Sequence, residues 1–340
     1  MIDNTLKGLF LKVFIGLLLF SIVSSAFYSY YFLNKQNSVT AKTLEIKEGT
    51  TLTGVVRQLY EKGVVSDLLT TRILLQALGF QRNLRAGVYD IRPGETLLEL
   101  ISKISEGKEK LFSFTIVEGR SFKALIKNIE NTQSIASEDI SDLSWHELST
   151  ALAIEASSPE GLFFPDTYHY PWGITAFSLL KMSKRKMDEI IEEEWKDRNS
   201  NLTFSSKYEA LVLASIIEKE TANPSERTMI SGVFNNRLSK RMRLQSDPTV
   251  IYGLGDLYKG NIKKIHLKQW TPYNTYKIKG LPPTPIAMPG RHSIRAALQP
   301  KKTDALYFVS KGDGSHIFSS SLKDHNKAVN RYQKNNNGLR

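Results

Sequence analysis

The pattern of hydrophobic and polar residues shows one long apolar run near the start of the chain, followed by a body of shorter segments. Residues 13–33 are 21 positions without a charge, the length of a helix that crosses the hydrocarbon core of a bilayer. Lys7 and Lys12 precede this run, and aromatic residues crowd its far end, as at a membrane interface. We predict a membrane anchor over 13–33, with residues 1–12 in the cytoplasm and a polar linker over 34–43.

The same apolar run has a second interpretation as a cleaved signal peptide. Ser24, Ser25 and Ala26 place small residues where a signal peptidase requires them, so that cleavage would leave Phe27 as the new N-terminus. The run is long for a signal peptide, and its aromatic residues continue beyond the cleavage point. Both features favour the anchor.

Three copies of one short pattern follow the linker. They read IKEGTTL at 46–52, IRPGETL at 91–97 and IVEGRSF at 116–122, each after a strand-like stretch and before a helical one. The glycine permits a tight turn, and Thr or Ser stands where a helix N-cap is favoured. A LysM-like glycan-binding module begins in this way, which predicts such a subdomain over 44–110. The alternative is that the copies share only common β-turn-α chemistry.

The segment 207–222 predicts a helix that ends near Asn223, because Pro224 follows. At about 100° per residue its apolar residues share one face, and Glu220 falls in the middle of that face while Glu218 projects elsewhere. A carboxyl at the end of a buried apolar stripe costs folding free energy unless it reaches a cleft or a partner. Burial raises a carboxyl pKa, and a neutral carboxylic acid can protonate a glycosidic oxygen. The alternative is a Glu paired with Lys or Arg at a helix end.

Capping residues and a proline-rich loop organise the segments after this helix. Asn223 begins a capping-box variant that restarts a helix at once, and Asp247 is placed to cap a third, short one. The stretches around Tyr273–Asn274 and at 280–285 are too rich in proline for core strands, which predicts an extended loop with aromatic and amide side chains.

Composition narrows the chemistry. Cysteine is absent, so a disulfide or a thiol nucleophile is impossible, and none of the six histidines has metal-ligand spacing. A long helix is predicted over 176–195, and its acidic end, 192–194, is interpreted as a solvated face rather than a metal site. The net charge of +12 suggests an anionic partner, but the scattered basic residues match no nucleic-acid-binding motif. We expect no metal, no cofactor and no nucleic acid.

Several motifs resemble one known family. ETANP at 220–224 resembles the acid box of lysozyme-like lytic transglycosylases, and Tyr273–Asn274 resembles their later box, whose Tyr helps to orient the catalytic Glu. From the apolar run to about Tyr332, the chain resembles the endolytic murein transglycosylase family (YceG-like). Thr284 and Pro285 stand where the family pattern leads us to expect smaller residues. The matching runs are EGLFFPDTY at 160–168, ASIIEKETA at 214–222, RLQSDPTVIYG at 243–253, YNTY at 273–276, GLPP at 280–283 and LYFV at 306–309.

The resemblance implies an α+β fold with an N-terminal transmembrane helix, the LysM-like subdomain and a lysozyme-like mixed catalytic domain over 111–335. It implies a single-pass protein of the inner membrane, with its body in the periplasm, that cleaves nascent peptidoglycan strands beside peptidoglycan synthases (penicillin-binding proteins). Glu220 is then the catalytic acid. The predicted substrate-binding residues are Glu218, Gln245, Ser246, Asp247, Tyr252, Tyr273 and Asn274.

The implied reaction closes a 1,6-anhydro ring on N-acetylmuramic acid, with one carboxyl acting first as acid and then as base. Two other functions remain open on the residues alone. A hydrolytic muramidase would need a second carboxylate, which Asp247 or Asp166 would supply if the fold brought it near. A noncatalytic wall-binding scaffold for synthesis enzymes would need neither carboxyl.

Overall fold

The structure is a computed structural model that describes residues 4–136 and 140–334. The chain forms two compact units, Met1–Phe112 with Tyr170–Trp172, and Ser113–His169 with Gly173–Arg340. Residues 1–3 of the predicted cytoplasmic segment, and residue 335 at the end of the predicted catalytic domain, lie outside the described residues.

A single long helix, α1 (Asn4–Asn34), contains the predicted apolar run. Its part Lys7–Asn34 is long and apolar enough to cross a membrane, and none of its most apolar window is buried within the protein. Exposed Phe10, Leu17 and Phe20 illustrate the apolar surface that the helix presents. The helix is therefore a candidate membrane anchor, longer than the predicted 13–33 at both ends.

The rest of the first unit combines a two-stranded antiparallel sheet with short helices. Leu44 lies opposite Tyr89 in the sheet, and both side chains are buried in the unit's apolar core. Gly49 and Gly94 adopt φ of +77° and +78° in the turns that precede α2 and α4. Thr51 and Thr96 cap these helices, as predicted. The elements are β1 (Lys42–Ile46), α2 (Leu52–Glu61), α3 (Leu68–Ala77), β2 (Gly87–Ile91) and α4 (Leu97–Glu106).

The third copy of the repeated pattern forms the same local structure in a different setting. Gly119 has φ of +70°, and Ser121 caps α5 (Phe122–Glu130). Its strand β3 (Leu111–Thr115), however, pairs with β5 (Thr167–Pro171), whereas β1 and β2 pair with each other. The copies therefore share turn and cap chemistry and not one common sheet.

The second unit is mainly helical, with α8 (Lys207–Glu220) at its centre. Every residue from Ala210 to Ile217 is buried, because other helices of this unit pack around α8. The predicted mixed α+β class, with an N-terminal apolar helix and small sheets, is confirmed. The remaining elements are β4 (Ile135–Ala136), α6 (Trp145–Leu152), β6 (Ile174–Thr175), α7 (Ala176–Lys196), α9 (Arg227–Ser239), α10 (Asp247–Leu254), α11 (Lys264–Lys268), α12 (Arg291–Leu298), β7 (Tyr307–Ser310), β8 (His316–Ser319) and α13 (Leu322–Val329).

The acidic end of α7 corrects one sequence interpretation. The side chain of Glu194 is only 4% exposed, and it pairs with Arg291 and Arg295 of α12 at 2.6 Å and 2.8 Å. Glu192 and Glu193 are more exposed and also pair with basic side chains. The solvated-face interpretation is therefore wrong for Glu194, whose partners lie about a hundred residues further along the chain.

Candidate active site

The end of α8 places Glu220 at the last helical position. The helix stops there because Thr221 is extended, with φ of −143° and ψ of 134°, and its hydroxyl accepts a hydrogen bond from Asn223 N at 3.0 Å. The predicted end near Asn223 was therefore about three residues late. Asn223 caps the short turn Pro224–Glu226 that leads into α9, so the predicted restart is confirmed, although it passes through this turn first.

The Glu220 carboxyl is partly buried and accepts a hydrogen bond from a neighbouring side chain. The Ser246 hydroxyl donates to Glu220 Oε1. Burial raises the pKa of Glu220 from 4.5 to about 7; the Ser246 hydrogen bond lowers it, the nearby Asp247 carboxylate raises it, and Arg237 lowers it. Near neutral pH a large fraction of Glu220 therefore carries a proton that it can give to a substrate.

A hollow of about 550 Å³ opens beside this carboxyl, and we call it the Glu220 hollow. In it, Gln245 Oε1 accepts from Arg237 Nη1 at 3.2 Å, and Asp247 Oδ1 accepts from the Tyr276 hydroxyl at 2.7 Å. Gln245 and Asp247 thus line the same hollow as Glu220, and Ser246 bonds its carboxyl directly. Further lining residues are Leu244, Tyr307, Phe308, His316, His325 and Asn326.

Ser246, and not Asp247, occupies the N-cap position of α10. Asp247 is the first helical residue, so the prediction that Asp247 caps this helix is wrong. The Ser246 side chain makes no capping hydrogen bond to α10, since its hydroxyl is directed to Glu220 instead. The helix therefore begins without the side-chain cap that Ser usually supplies.

Arg237 is a site residue that the sequence did not single out. It is 7% exposed and lies on α9, where its guanidinium bonds the carbonyls of Leu306 at 2.6 Å and Leu244 at 2.8 Å. Its charge also lies over the Tyr307 ring, 5.2 Å from the centroid. An arginine at the apolar spacing of a buried helix was the available signal. Its partners Leu306 and Tyr307 come from a distant segment, whereas Leu244 and Gln245 follow α9 closely.

Tyr252 and Tyr273 line a second hollow of about 830 Å³, which we call the Glu160 hollow. Their rings meet edge to face with centroids 4.8 Å apart. The Tyr252 hydroxyl donates to Glu160 Oε2 at 3.2 Å, and the backbone N–H of Phe122 donates to Glu160 Oε1 at 3.0 Å. Burial raises the pKa of Glu160 to about 7, against the smaller effect of these hydrogen bonds. The structure therefore separates the two tyrosines from the Glu220 hollow.

Asn274 and Glu218 make contacts within the protein. Asn274 Nδ2 donates to the Gln269 carbonyl at 2.6 Å, and Asn274 Oδ1 accepts from Tyr276 N at 2.9 Å, so the side chain fastens its own loop. Glu218 accepts from Arg227 Nη2 at 3.2 Å and from Gly290 N at 3.0 Å. These contacts favour supporting roles for both residues.

Of the two candidate second carboxylates, only Asp247 lines the Glu220 hollow. Asp166 forms an ion pair with Lys186, and this hydrogen bond holds the pKa of Asp166 below its ordinary value. Among residues 4–136 and 140–334, no group of three or more His, Asp or Glu side chains could hold a metal ion.

A partly buried carboxyl that is protonated near neutral pH, in a hollow of a mixed α+β unit, has the chemistry that acid–base catalysis requires. The model of the YceG-like family matches residues 44–331, and the chain belongs to this family. An endolytic murein transglycosylase of Bacillus subtilis is 31% identical over 318 residues, covering 88% of this chain and 86% of that protein. One of Streptococcus pneumoniae is 27% identical over 327 residues, and the match spans 58% of its length.

A solved structure supports the same relationship. The 2.6 Å crystal structure of a yceG-like protein from Listeria monocytogenes superposes with a TM-score of 0.54 at 30% identity. The match covers 84% of this chain and 98% of that chain. Fold and family therefore agree over most of the sequence.

Proposed function

We propose that this chain is an endolytic peptidoglycan lytic transglycosylase in which Glu220 is the catalytic acid and base. The observation that carries the proposal is the Glu220 carboxyl, whose pKa burial raises to about 7 and whose oxygen accepts the Ser246 hydroxyl. The endolytic murein transglycosylases that match the chain support this activity.

The reaction uses one carboxyl twice. Protonated Glu220 gives its proton to the glycosidic oxygen between N-acetylmuramic acid and N-acetylglucosamine, and the bond from that oxygen to the muramyl C1 breaks. The resulting carboxylate takes the proton of the muramyl C6 hydroxyl while O6 bonds to C1. A 1,6-anhydro end forms, no water is consumed, and Glu220 is protonated again.

The surrounding residues hold the acid and the sugar in position. Ser246 fixes one oxygen of the Glu220 carboxyl, and Asp247 favours its protonated form. Gln245 presents a side-chain amide at the hollow, where it is partly fixed by Arg237 and offers hydrogen bonds to sugar hydroxyls.

The proposed organisation follows the predicted segments. Residues 13–33 anchor the chain in the inner membrane, with residues 1–12 in the cytoplasm. Residues 34–43 are a linker, and residues 44–110 bind glycan as a LysM-like subdomain. Residues 111–335 are the catalytic domain, which acts in the periplasm beside peptidoglycan synthases. The candidate membrane helix supports the anchor. The strand, glycine turn and capped helix at β1–α2 and β2–α4 support the LysM-like assignment.

Substitution of the acid tests the proposal. Glu220→Gln keeps the volume but cannot donate the proton, so release of glycan fragments from intact sacculi should fall by about 100-fold or more. Glu189→Gln, at an exposed position of α7, is the matched control, and Glu218→Gln should be milder than Glu220→Gln. Full activity of Glu220→Gln would point to another residue as the acid, whereas a wild-type chain that releases no fragments would leave a scaffold as the function.

A hydrolytic muramidase is the second candidate, because Asp247 lines the same hollow as Glu220. As a general base it would activate a water, and the product would be a reducing muramyl end. Mass spectrometry of digested sacculi separates the two reactions, since anhydro ends are lighter by one water and resist borohydride. Mainly reducible ends, which Asp247→Asn would abolish, would establish the muramidase.

A further inference from the structure

The residues that line the two hollows are consecutive in sequence at the start of α10 and at the end of α8. Glu220 and Asp247 line one hollow, while their direct neighbours Lys219 and Pro248 line the other. Consecutive residues of both helices therefore face different hollows. A substrate bound at Glu220 that extends along these two segments would reach the residues of the Glu160 hollow.

The Glu160 hollow has a basic rim and an aromatic floor. Arg120, Lys123 and Lys219 are at the rim, and the paired rings of Tyr252 and Tyr273 are part of the floor. This combination suits a ligand with carboxylates and short aliphatic side chains. A bare sugar chain without acidic groups would leave the basic rim unused.

The rim charges are free to meet a ligand. No hydrogen bond or ion pair joins the Arg120 guanidinium to another of the residues that the structure describes. Lys123 pairs with Asp256 at 2.9 Å, but both side chains are more than three-quarters exposed, and such surface pairs contribute little. Lys219 Nζ donates to the Gly119 carbonyl at 3.1 Å and keeps its remaining donors.

The floor is held rigid by buried polar contacts. Glu160 is 4% exposed, and it fixes Tyr252 from one side while its other oxygen accepts the backbone N–H of Phe122. The Tyr273 hydroxyl shares a hydrogen bond of 2.9 Å with Thr284. A floor whose rings are already positioned loses little conformational entropy when a ligand binds.

We propose that the Glu160 hollow binds the acidic peptide stem of the muramyl residue whose glycosidic bond lies at Glu220. The inference rests on the proposed function, which places the muramyl sugar in the Glu220 hollow. The stem leaves that sugar through its lactyl group and carries carboxylates, which Arg120 and Lys123 bind at the rim. The enzyme would thereby select strands that still carry their stems.

Binding of a soluble fragment tests this without requiring cleavage. Full-length Glu220→Gln protein in detergent is titrated calorimetrically with muramyl pentapeptide and, separately, with N-acetylmuramic acid. We expect the stem to raise affinity, and Arg120→Glu with Lys123→Glu to reduce that gain by about tenfold, as for loss of charge-assisted hydrogen bonds. Added salt should weaken the pentapeptide more than the sugar.

Lys181→Glu, a charge reversal at an exposed position on α7, is the matched control and should retain the gain. Arg120→Gln tests the same contact with a smaller change, and this variant should lose part of the gain in affinity that the stem provides. Equal affinity for the two ligands, or full retention of the gain by the double variant, overturns the proposal. Pentapeptide binding by a wild-type chain that fails to cleave sacculi would instead refute the proposed function and leave the stem site standing.

Discussion

Glu220 carries its proton near neutral pH because its position at the end of α8 buries the carboxyl, and burial disfavours the charged form. The unfolded chain would hold the same group at its ordinary pKa of 4.5, whereas the folded chain holds it at about 7. Between these values the folded state binds more protons, so stability falls as pH rises through this window. The loss of folding stability caused by the buried carboxyl is therefore constant above about pH 7, and it disappears below pH 4.5.

The first prediction is that Glu220→Gln is more stable than the wild type at pH 8 by an amount on the order of 1–3 kcal/mol, and that the difference shrinks towards pH 4. The amide needs no proton to remain neutral in the hollow. Urea unfolding at pH 4, 6 and 8 measures the difference. A stability difference between the two proteins that stayed constant with pH would mean that burial does not shift the pKa of this carboxyl.

Two neighbours of Glu220 act on its pKa in opposite directions. The Ser246 hydroxyl lowers the pKa and the Asp247 carboxylate raises it. The second prediction is that the alkaline limb of the pH–activity profile moves to higher pH in Ser246→Ala and to lower pH in Asp247→Asn. Profiles of kcat/KM from pH 5 to 9 on the same glycan preparation test this. Limbs that shift in the same direction in both variants would contradict the assignment.

At the scale of elements, α7 and α12 are joined by Glu194 with Arg291 and Arg295. The third prediction is that Glu194→Gln lowers the free energy of unfolding by about 1–3 kcal/mol, because it removes charge from a buried carboxylate whose partners are partly exposed. Thermal unfolding measures this, with Glu189→Gln on the exposed side of α7 as control. Cleavage per folded molecule should not change.

Elements whose signals are local were predictable from the sequence. Glycine turns, N-caps and the helix over 176–195 depend on neighbours within a few residues, and each is present in the structure. The site was predictable only in part. Glu220 and the segment 245–247 were identified, but Arg237 and Glu160 depend on partners 69 and 92 positions away, which no single sequence reveals.

At the scale of the whole molecule, α1 joins an apolar membrane candidate to the first unit. Phe32 and Leu33, at the end of this helix, pack against the core of that unit, and Gln36 bridges to Thr96. The end of the predicted span is therefore also a part of the fold. Removal of the whole helix should affect stability as well as location.

The fourth prediction concerns this helix. The full chain should fractionate with membranes, and a chain that begins at Lys35 should be soluble and monodisperse without detergent. It should also melt a few degrees below a chain that begins at Tyr31, because burial of two large apolar side chains contributes about 1.5–3 kcal/mol each when complete. Recovery from cells of protein that begins at Phe27 would show that a signal peptidase removes the anchor.

The hydroxyl of Ser246 has implications for protein engineering. It serves Glu220 and leaves the first turn of α10 without a side-chain cap. Selection for heat resistance would accept replacements at position 246 that cap this turn, since a good N-cap contributes about 1 kcal/mol. Asp, one of the best N-cap residues, accepts hydrogen bonds but donates none when ionised, so it would remove the donor to Glu220. Libraries built for thermostability should therefore hold position 246 fixed, or they will be enriched in stable proteins in which this hydroxyl no longer sets the pKa of Glu220.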